Sequence, residues 1–306
     1  MSAGTPDISI VVATLNARDV LQRNLEQLYR VGARHSFEVW VVDDGSSDGT
    51  AKMVAARFPQ VRLLVNARNI GYAYSCNRAI EQATGRFIHL LNNDVELQPG
   101  TLDALADFLD ELPEAGCAGS LLLNEDGSVQ QSAKALPSLR SALFGGRSWL
   151  TAWMPNNRFT RAELQHWRAE AGVPFATGYV SGASLMVTRE VLQRIGELDE
   201  RMFYFNDADF CKRIWDIGRS VHCVPAARSM HLNHQGGSLK NWRRRLWALL
   251  VFHRGAWLYS RKHSGYPLWH PHQLLVFACL GARLLGAAFL QASREVTGAD
   301  RRAYGG

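Results

Sequence analysis

The chain has 306 residues, 47% of them hydrophobic and 20% charged, with a formal net charge of +6. This is the composition of a globular protein with a substantial core, and it excludes collagen-like, low-complexity and repeat architectures. The five cysteines (Cys76, Cys117, Cys211, Cys223 and Cys279) are odd in number and include no CxxC pair, which argues against a disulfide framework and suits reduced thiols in the cytosol.

Met1 to Asp7 lacks a basic patch and an apolar run, so no secretory signal is expected. Ile8–Ala13 is a β-branched run that predicts a strand ending on Thr14, Leu15 and Asn16. A helix follows, with Val20, Leu21, Leu25, Leu28 and Val31 near helical spacing. Phe37–Val42 reads as a second strand closed by Asp43-Asp44-Gly45-Ser46. Helix Thr50–Phe58, strand Val61–Val65, helix Gly71–Ala83 and strand Phe87–Leu91 continue the alternation. Repeated βα units predict a mostly parallel sheet with helices on both faces. Neither GxGxxG nor GxxxxGK occurs, so the familiar phosphate cradles do not apply.

Polar residues collect where these strands end. Strand one stops on Thr14 and Asn16, strand two on Asp43 and Asp44, and the Phe87 strand on Asn92, Asn93 and Asp94. In a parallel sheet these ends share one edge, the edge where open α/β sheets bind ligands. Asp43 is placed to accept from a base N–H or a ribose hydroxyl, and Asp94 to hold a hard cation through oxygen. The plainer alternative is a set of turns whose Asp, Asn and Ser side chains cap the next helices. Asn69-Ile70-Gly71-Tyr72 admits two readings of equal weight: a close backbone approach to a ligand at Gly71, with Asn77 on the first helical turns, or a simple helix start.

From Leu121 to Thr177 the periodicity fades, and Gly145-Gly146-Arg147-Ser148-Trp149 sits in a long irregular stretch, expected to be an acceptor-side loop. Order returns at Ser181–Val187, with a helix from Thr188. An aromatic triplet, Phe203-Tyr204-Phe205, then runs into Asn206-Asp207-Ala208-Asp209. Asp207 and Asp209 are two residues apart, so on one helical turn they point differently and do different work. One suits a general base beside an aromatic wall and the other a cap or salt bridge, unless Asp207 merely caps the helix Ala208–Ile217. A last strand, Ser220–Pro225, leads to His231 and His234, either of which is a candidate ligand to a cation at Asp94.

Charge is uneven. Residues 1–216 carry 21 basic and 26 acidic side chains, the remainder 13 and 2, for net charges of −5 and +11. No Asp or Glu occurs between Asp216 and Glu295, which points to an anionic partner. Leu246–Ser260 and Gln273–Gln291 are largely apolar, and Trp242, Trp247, Trp257, Tyr259 and Trp269 are interleaved with basic residues. Arg283 in mid-segment would cost about 2.5–3.5 kcal/mol to insert across a bilayer. Helices lying on the inner leaflet are therefore expected, against packing on the core or on a second protomer as a homodimer. Long apolar runs rather than a polar groove argue against nucleic acid.

Taken in order, Val12-Ala13-Thr14-Leu15-Asn16, Val42-Asp43-Asp44-Gly45-Ser46, Asn69-Ile70-Gly71-Tyr72, Leu91-Asn92-Asn93-Asp94-Val95 and Phe205-Asn206-Asp207-Ala208-Asp209-Phe210 resemble the motifs of family 2 glycosyltransferases. These are inverting nucleotide-sugar enzymes of GT-A fold, and the bacterial rhamnosyltransferase-like group that builds cell-surface polysaccharide is the most similar in appearance. The resemblance spans roughly residues 7–262. It implies a Rossmann-like, mixed and mostly parallel GT-A domain over 1–240, with a nucleotide-sugar half (1–120) and an acceptor half (121–240), and a basic, apolar helical tail over 241–306.

It further implies that Asp43 reads the nucleobase near Thr14, and that Asn16, Asp44, Asn69, Gly71, Asn77, Asn92 and Asn93 line the donor site. Asp94 would hold Mg2+ or Mn2+ against the diphosphate, with His231 or His234 as a further ligand, and Asp207 would be the catalytic base. The donor would be a UDP- or dTDP-sugar, with rhamnose as one choice, and the acceptor a glycan or lipid-linked hydroxyl. The cysteine usage and the basic, apolar tail lead to the expectation of a cytoplasmic protein, peripheral on the inner face of the membrane. Two departures stand out: Asn92 replaces the first acidic residue of the DxD motif, and Asn206 replaces the Glu of the Glu-Asp pair. They keep open an alternative, a nucleotide-sugar-binding protein with weak or no catalysis.

Overall fold

The computed structural model describes residues 4–138, 141, 153–232 and 242–296. His234, and residues 145–149 of the expected acceptor-side loop, lie outside the described residues. The chain divides into two compact units, one of residues 1–200 and 206–235, the other of 201–205 and 236–306.

In the first unit the elements run β1 (Ile8–Thr14), α1 (Arg18–Val31), β2 (Phe37–Asp43), α2 (Thr50–Arg57), β3 (Arg62–Val65), α3 (Tyr72–Ile80), β4 (Phe87–Leu91), β5 (Val95–Leu97), α4 (Thr101–Glu111) and β6 (Ala115–Leu123). Then follow β7 (Ala133–Lys134), α5 (Arg158–Glu163), a 3-10 turn (His166–Ala171), β8 (Phe175–Ala176), β9 (Tyr179–Val180), β10 (Ser184–Thr188), α6 (Arg189–Ile195), α7 (Asn206–Asp216) and β11 (Ser220–His231).

The main sheet has the order β3-β2-β1-β4-β10-β6-β11-β5, with β8 also paired to β11. Strands β1 to β4 are mutually parallel, as the βα alternation predicts. Beyond them, β10 enters antiparallel between β4 and β6, and β11 runs parallel to β6. The sheet is doubly covered because β1 sends alternate side chains to opposite faces. Ile8, Ile10 and Val12 pack in one buried cluster with Leu21, Leu25 and Leu28 of α1 and Leu102, Leu105 and Leu109 of α4. Val11 and Ala13 belong to the opposite cluster, with Ala73, Cys76 and Ala79 of α3 and Phe210 and Ile214 of α7. His89, mid-strand in β4, is fully buried against Ser184 Oγ at 3.0 Å, and burial drops its imidazole to about 3, so it is a neutral core group.

The stretch read as irregular contains short elements. β6 extends to Leu123, and β7, β8 and β9 are two residues each. Strands that short leave no alternation for a period-2 reading to detect. The final strand continues past the predicted end at Pro225 to His231, with a register shift against β6 between Val224 and Arg228 that absorbs the proline.

The second unit holds α8 (Trp242–His263) and α9 (Pro271–Val296). Phe205 pairs with Phe252 and Tyr259 there, at centroid distances of 5.1 and 6.0 Å. Among the described residues, no helix is long and apolar enough to cross a membrane.

Candidate active site

The carboxyl ends of β1, β2 and β4 form the rim on which the predicted residues meet. Asn93 Nδ2 donates to Thr14 Oγ1 at 2.9 Å, tying the end of β4 to the end of β1. Asn92 forms the turn into β5: Val95 N donates to its carbonyl at 3.2 Å, and Asn24 of α1 braces the same carbonyl at 3.0 Å.

The two carboxylates after β2 have separate roles. Asp43, 1% exposed, accepts from Ser46 N at 3.1 Å and from the Ser46 hydroxyl. Asp44 accepts from Asn66 Nδ2 at 2.8 Å, Ile70 N at 2.9 Å and Gly71 N at 2.9 Å. It is a bracket that shapes the 66–71 loop. Gly45 lies against the same loop at φ +80°, and a Cβ there would sit 2.6 Å from the Arg68 carbonyl carbon. Asn16, at φ +49°, accepts from Ser47 N at 2.8 Å and steadies the facing turn. Asp44→Ala should destabilise the protein by roughly 1–2 kcal/mol, because it strands the buried Asn66 amide and two partly buried loop N–H groups. Urea unfolding checks this, and an unchanged midpoint would remove Asp44 from the bracket.

Asn77 also differs from expectation. Its amide donates to Leu198 O at 3.0 Å and Glu200 Oε1 at 3.1 Å, and its Oδ1 accepts from Leu198 N at 3.0 Å. Buried, it pins the 198–200 segment to α3. Asn69 is exposed on the loop, and Gly71 (φ +120°) starts α3 with its N–H on Asp44.

Asp94 is buried next to the end of β11. Pairing of β5 with β11 sets His231 opposite Val95, which brings His231 Nε2 to 3.4 Å from Asp94 Oδ1. Gln130 fixes the imidazole. Its Nε2 donates to His231 O at 2.9 Å, so its Oε1 is the atom 3.0 Å from Nδ1 and accepts a hydrogen bond from the Nδ1 N–H. In the neutral ring Nε2 then presents a lone pair to the Asp94 carboxylate, an arrangement stable only with a cation or proton between them. This donor set fits a divalent cation that is also bound by substrate phosphates, the usual mode for Mg2+. Among the described residues no cluster of three or more His, Cys, Asp or Glu completes a cage on protein groups alone.

Asp207 stands on the first turn of α7, after Phe205 at φ +70°, a costly backbone conformation for a bulky side chain. Its Oδ1 accepts from Ala208 N at 2.9 Å, and Gly182 N lies 3.4 Å from Oδ2. The next residue of that turn, Ala183, accepts Asn92 N at 2.9 Å. One turn, 181–183, therefore touches both the Asp94 loop and Asp207. Burial pushes the Asp207 carboxyl up, against the downward pull of Lys134 and of the Ala208 and Gly182 N–H groups. Asp209 is fully buried in a salt bridge to Arg213 Nε at 3.0 Å, and Arg213 also donates to the carbonyls of Ile195, Gly196 and Glu197. The two aspartates divide into one at the site and one in the scaffold.

Two residues escaped the sequence reading of the site. Tyr72 opens α3, and burial, Cys76 and then the Asp207 and Asp94 charges push its phenol well above the usual value, which sets all three around one space. The Lys134 charge acts on Asp207, and β7 pairs with β9 immediately before the 181–183 turn. A lone Lys in an irregular stretch carries no local signal of that pairing. Since the Lys134 charge favours the ionised base, Lys134→Met should raise the Asp207 pKa and move the acidic limb of the kcat/KM profile to higher pH. An unmoved limb would show that Lys134 does not act on the base.

Comparison with known proteins identifies the family and the fold. The profile of Glycosyl transferase family 2 matches residues 9–196, a span that holds Thr14, Asp43 and Asp94 and stops short of Asp207 and His231. An N-acetylglucosaminyl-diphospho-decaprenol L-rhamnosyltransferase of Mycobacterium tuberculosis is 33% identical over 239 residues, 74% of this chain and 76% of its own length. A mannosyltransferase of Pyrobaculum calidifontis, solved with GDP-Man and Mn2+, superposes with a TM-score of 0.55 at 21% identity, covering 98% of this chain and 81% of that one. S. aureus TarS 1-349 in complex with UDP-GlcNAc gives 0.56 at 17% identity, covering 88% and 70%. The fold is thus the GT-A fold, and the chain belongs to glycosyl transferase family 2.

Proposed function

We propose that the chain transfers a sugar, rhamnose, from a dTDP- or UDP-linked donor to a hydroxyl of a lipid-linked glycan, with inversion at the anomeric carbon. The observation that carries this reading is the 181–183 turn, which holds Asp207 and the Asp94 loop on its two sides. Sugar and acceptor class are supported by the printed activity of the mycobacterial relative.

In this mechanism Asp207 takes the proton of the acceptor hydroxyl as its oxygen bonds to the anomeric carbon. The bond from that carbon to the diphosphate oxygen breaks on the opposite face, and the electron pair leaves with the diphosphate. Burial raises the basicity of Asp207, which suits a group that takes a proton, while Lys134 and the Ala208 and Gly182 N–H groups pull the other way. Asp94 and His231 would hold Mg2+ or Mn2+, which when bound supplies charge neutralisation to the diphosphate. Asp43 and Thr14 would receive the nucleoside, and the Asp44-shaped loop would close over it. The reaction is placed at the inner face of the cell membrane, where such an acceptor is presented.

The test is transfer from dTDP-rhamnose, and from UDP-sugars, to an N-acetylglucosaminyl-diphospho-polyprenol, with the product linkage read by NMR. An inverted rhamnosyl product supports the reading. Tight donor binding without turnover on any lipid-linked acceptor would instead favour a binding protein, the role that Asn92 and Asn206 leave open.

A further inference from the structure

A helix packed on a single neighbour ordinarily turns its polar side chains outward. α9 does the reverse. It packs on α8 through Trp257 and Phe277, whose rings are 5.4 Å apart, and its one charged residue before 288, Arg283, lies over the Phe252 ring at 5.7 Å. The outward side chains include Leu274, Leu275, Phe277, Ala278, Ala282 and Leu285, and no exposed residue between 271 and 287 is charged. Leu274, Ala278, Ala282 and Leu285 follow helical spacing, so they form one stripe. At its head, the connection from α8 exposes Tyr266, Leu268 and Trp269, the last at 76%. Arg254, Arg261 and Lys262 are exposed on α8.

We propose that the outward stripe of α9, together with the Tyr266–Trp269 connection, is an interfacial membrane-binding surface for anionic lipid headgroups. An uncovered apolar stripe of this extent marks an interaction surface. Aromatics at one end and Arg/Lys on the flank match the headgroup boundary of a bilayer, with apolar side chains entering and cations meeting phosphate. The absence of Asp and Glu from 217 to 294 decides between lipid and a second copy. A second copy docked symmetrically through this face would set like-charged flanks against each other, whereas an anionic leaflet neutralises them. Lying on the surface rather than crossing it also fits the inward-turned Arg283. This inference stands on the helices alone and does not depend on the sugar-transfer reading.

The test is flotation of the full chain with vesicles of phosphatidylcholine alone or mixed with phosphatidylglycerol. Binding is expected only with phosphatidylglycerol, weakening as salt is raised. It should fall about tenfold in Leu274→Glu/Leu285→Glu and, by a separate route, in Arg261→Ser/Lys262→Ser. Both pairs are exposed, so folding should be retained. Slow hydrolysis of the donor in the absence of vesicles should be unchanged in both, which separates loss of docking from loss of the active site. No binding to either vesicle would overturn the proposal. So would a concentration-dependent dimer, seen by sedimentation and abolished by Leu274→Glu/Leu285→Glu, in a protein that ignores vesicles.

Discussion

Asp207→Asn should lower sugar transfer by roughly 10^3-fold while donor affinity stays within about a factor of two. Asparagine keeps the shape and can still accept from Ala208 N, now at 2.9 Å from Oδ1, so the start of α7 should be preserved. What it loses is the capacity to take a proton. Because Asp207 meets the acceptor and not the nucleotide in this account, the loss should appear in kcat with little change in the donor's KM. Asp209→Asn makes the contrasting case. Breaking its buried salt bridge to Arg213 should lower thermal stability first and reduce activity only through unfolding. If Asp207→Asn keeps near-normal turnover, the base lies elsewhere and the assignment is wrong.

The second large effect is expected at Asp94. Asp94→Ala should weaken metal-dependent donor binding by about 100-fold, measured by calorimetry with Mn2+ against chelator. With Asn92 neutral, Asp94 is the one carboxylate of the 92–94 turn available to a cation, and its removal leaves His231 alone. His231→Gln should have the smaller effect, about tenfold, and Gln130→Ala smaller still, since Gln130 only fixes the tautomer. Equal donor affinity with and without metal in the unaltered protein would contradict this ranking at its root.

How much of this was legible in the sequence follows from the range of each signal. The β1–β4 half was readable because buried parallel strands appear as apolar runs and intervening helices carry their own period. Thr14, Asp43 and Asp94 were proposed for the same reason: each ends a readable strand, and parallel topology puts such ends on one rim. The insertion of β10 between β4 and β6 was not readable, since nothing local in Ser184–Thr188 says which strands it will join. That long-range pairing is what delivers Gly182 to Asp207 and Ala183 to Asn92. Lys134 was hidden behind two-residue strands for a related reason. Asn77 and Asp44 are harder to place, because a buried polar side chain looks alike in sequence whether it faces a ligand or satisfies a neighbouring loop. Only the partners, Leu198 for one and the 66–71 loop for the other, distinguish the two. The place of His231 comes from register: its pairing opposite Val95 sets it next to Asp94.

The measurement that tests the central claim most directly is donor selection by the purified chain. A panel of dTDP-, UDP- and GDP-sugars, each with Mn2+, Mg2+ or chelator, would be followed by thermal shift and by slow release of the free sugar. The account predicts selective stabilisation by a dTDP- or UDP-sugar that needs the metal, is lost in Asp94→Ala and persists in Asp207→Asn, where sugar release stops. Metal-independent stabilisation, or none by any nucleotide sugar, would contradict it.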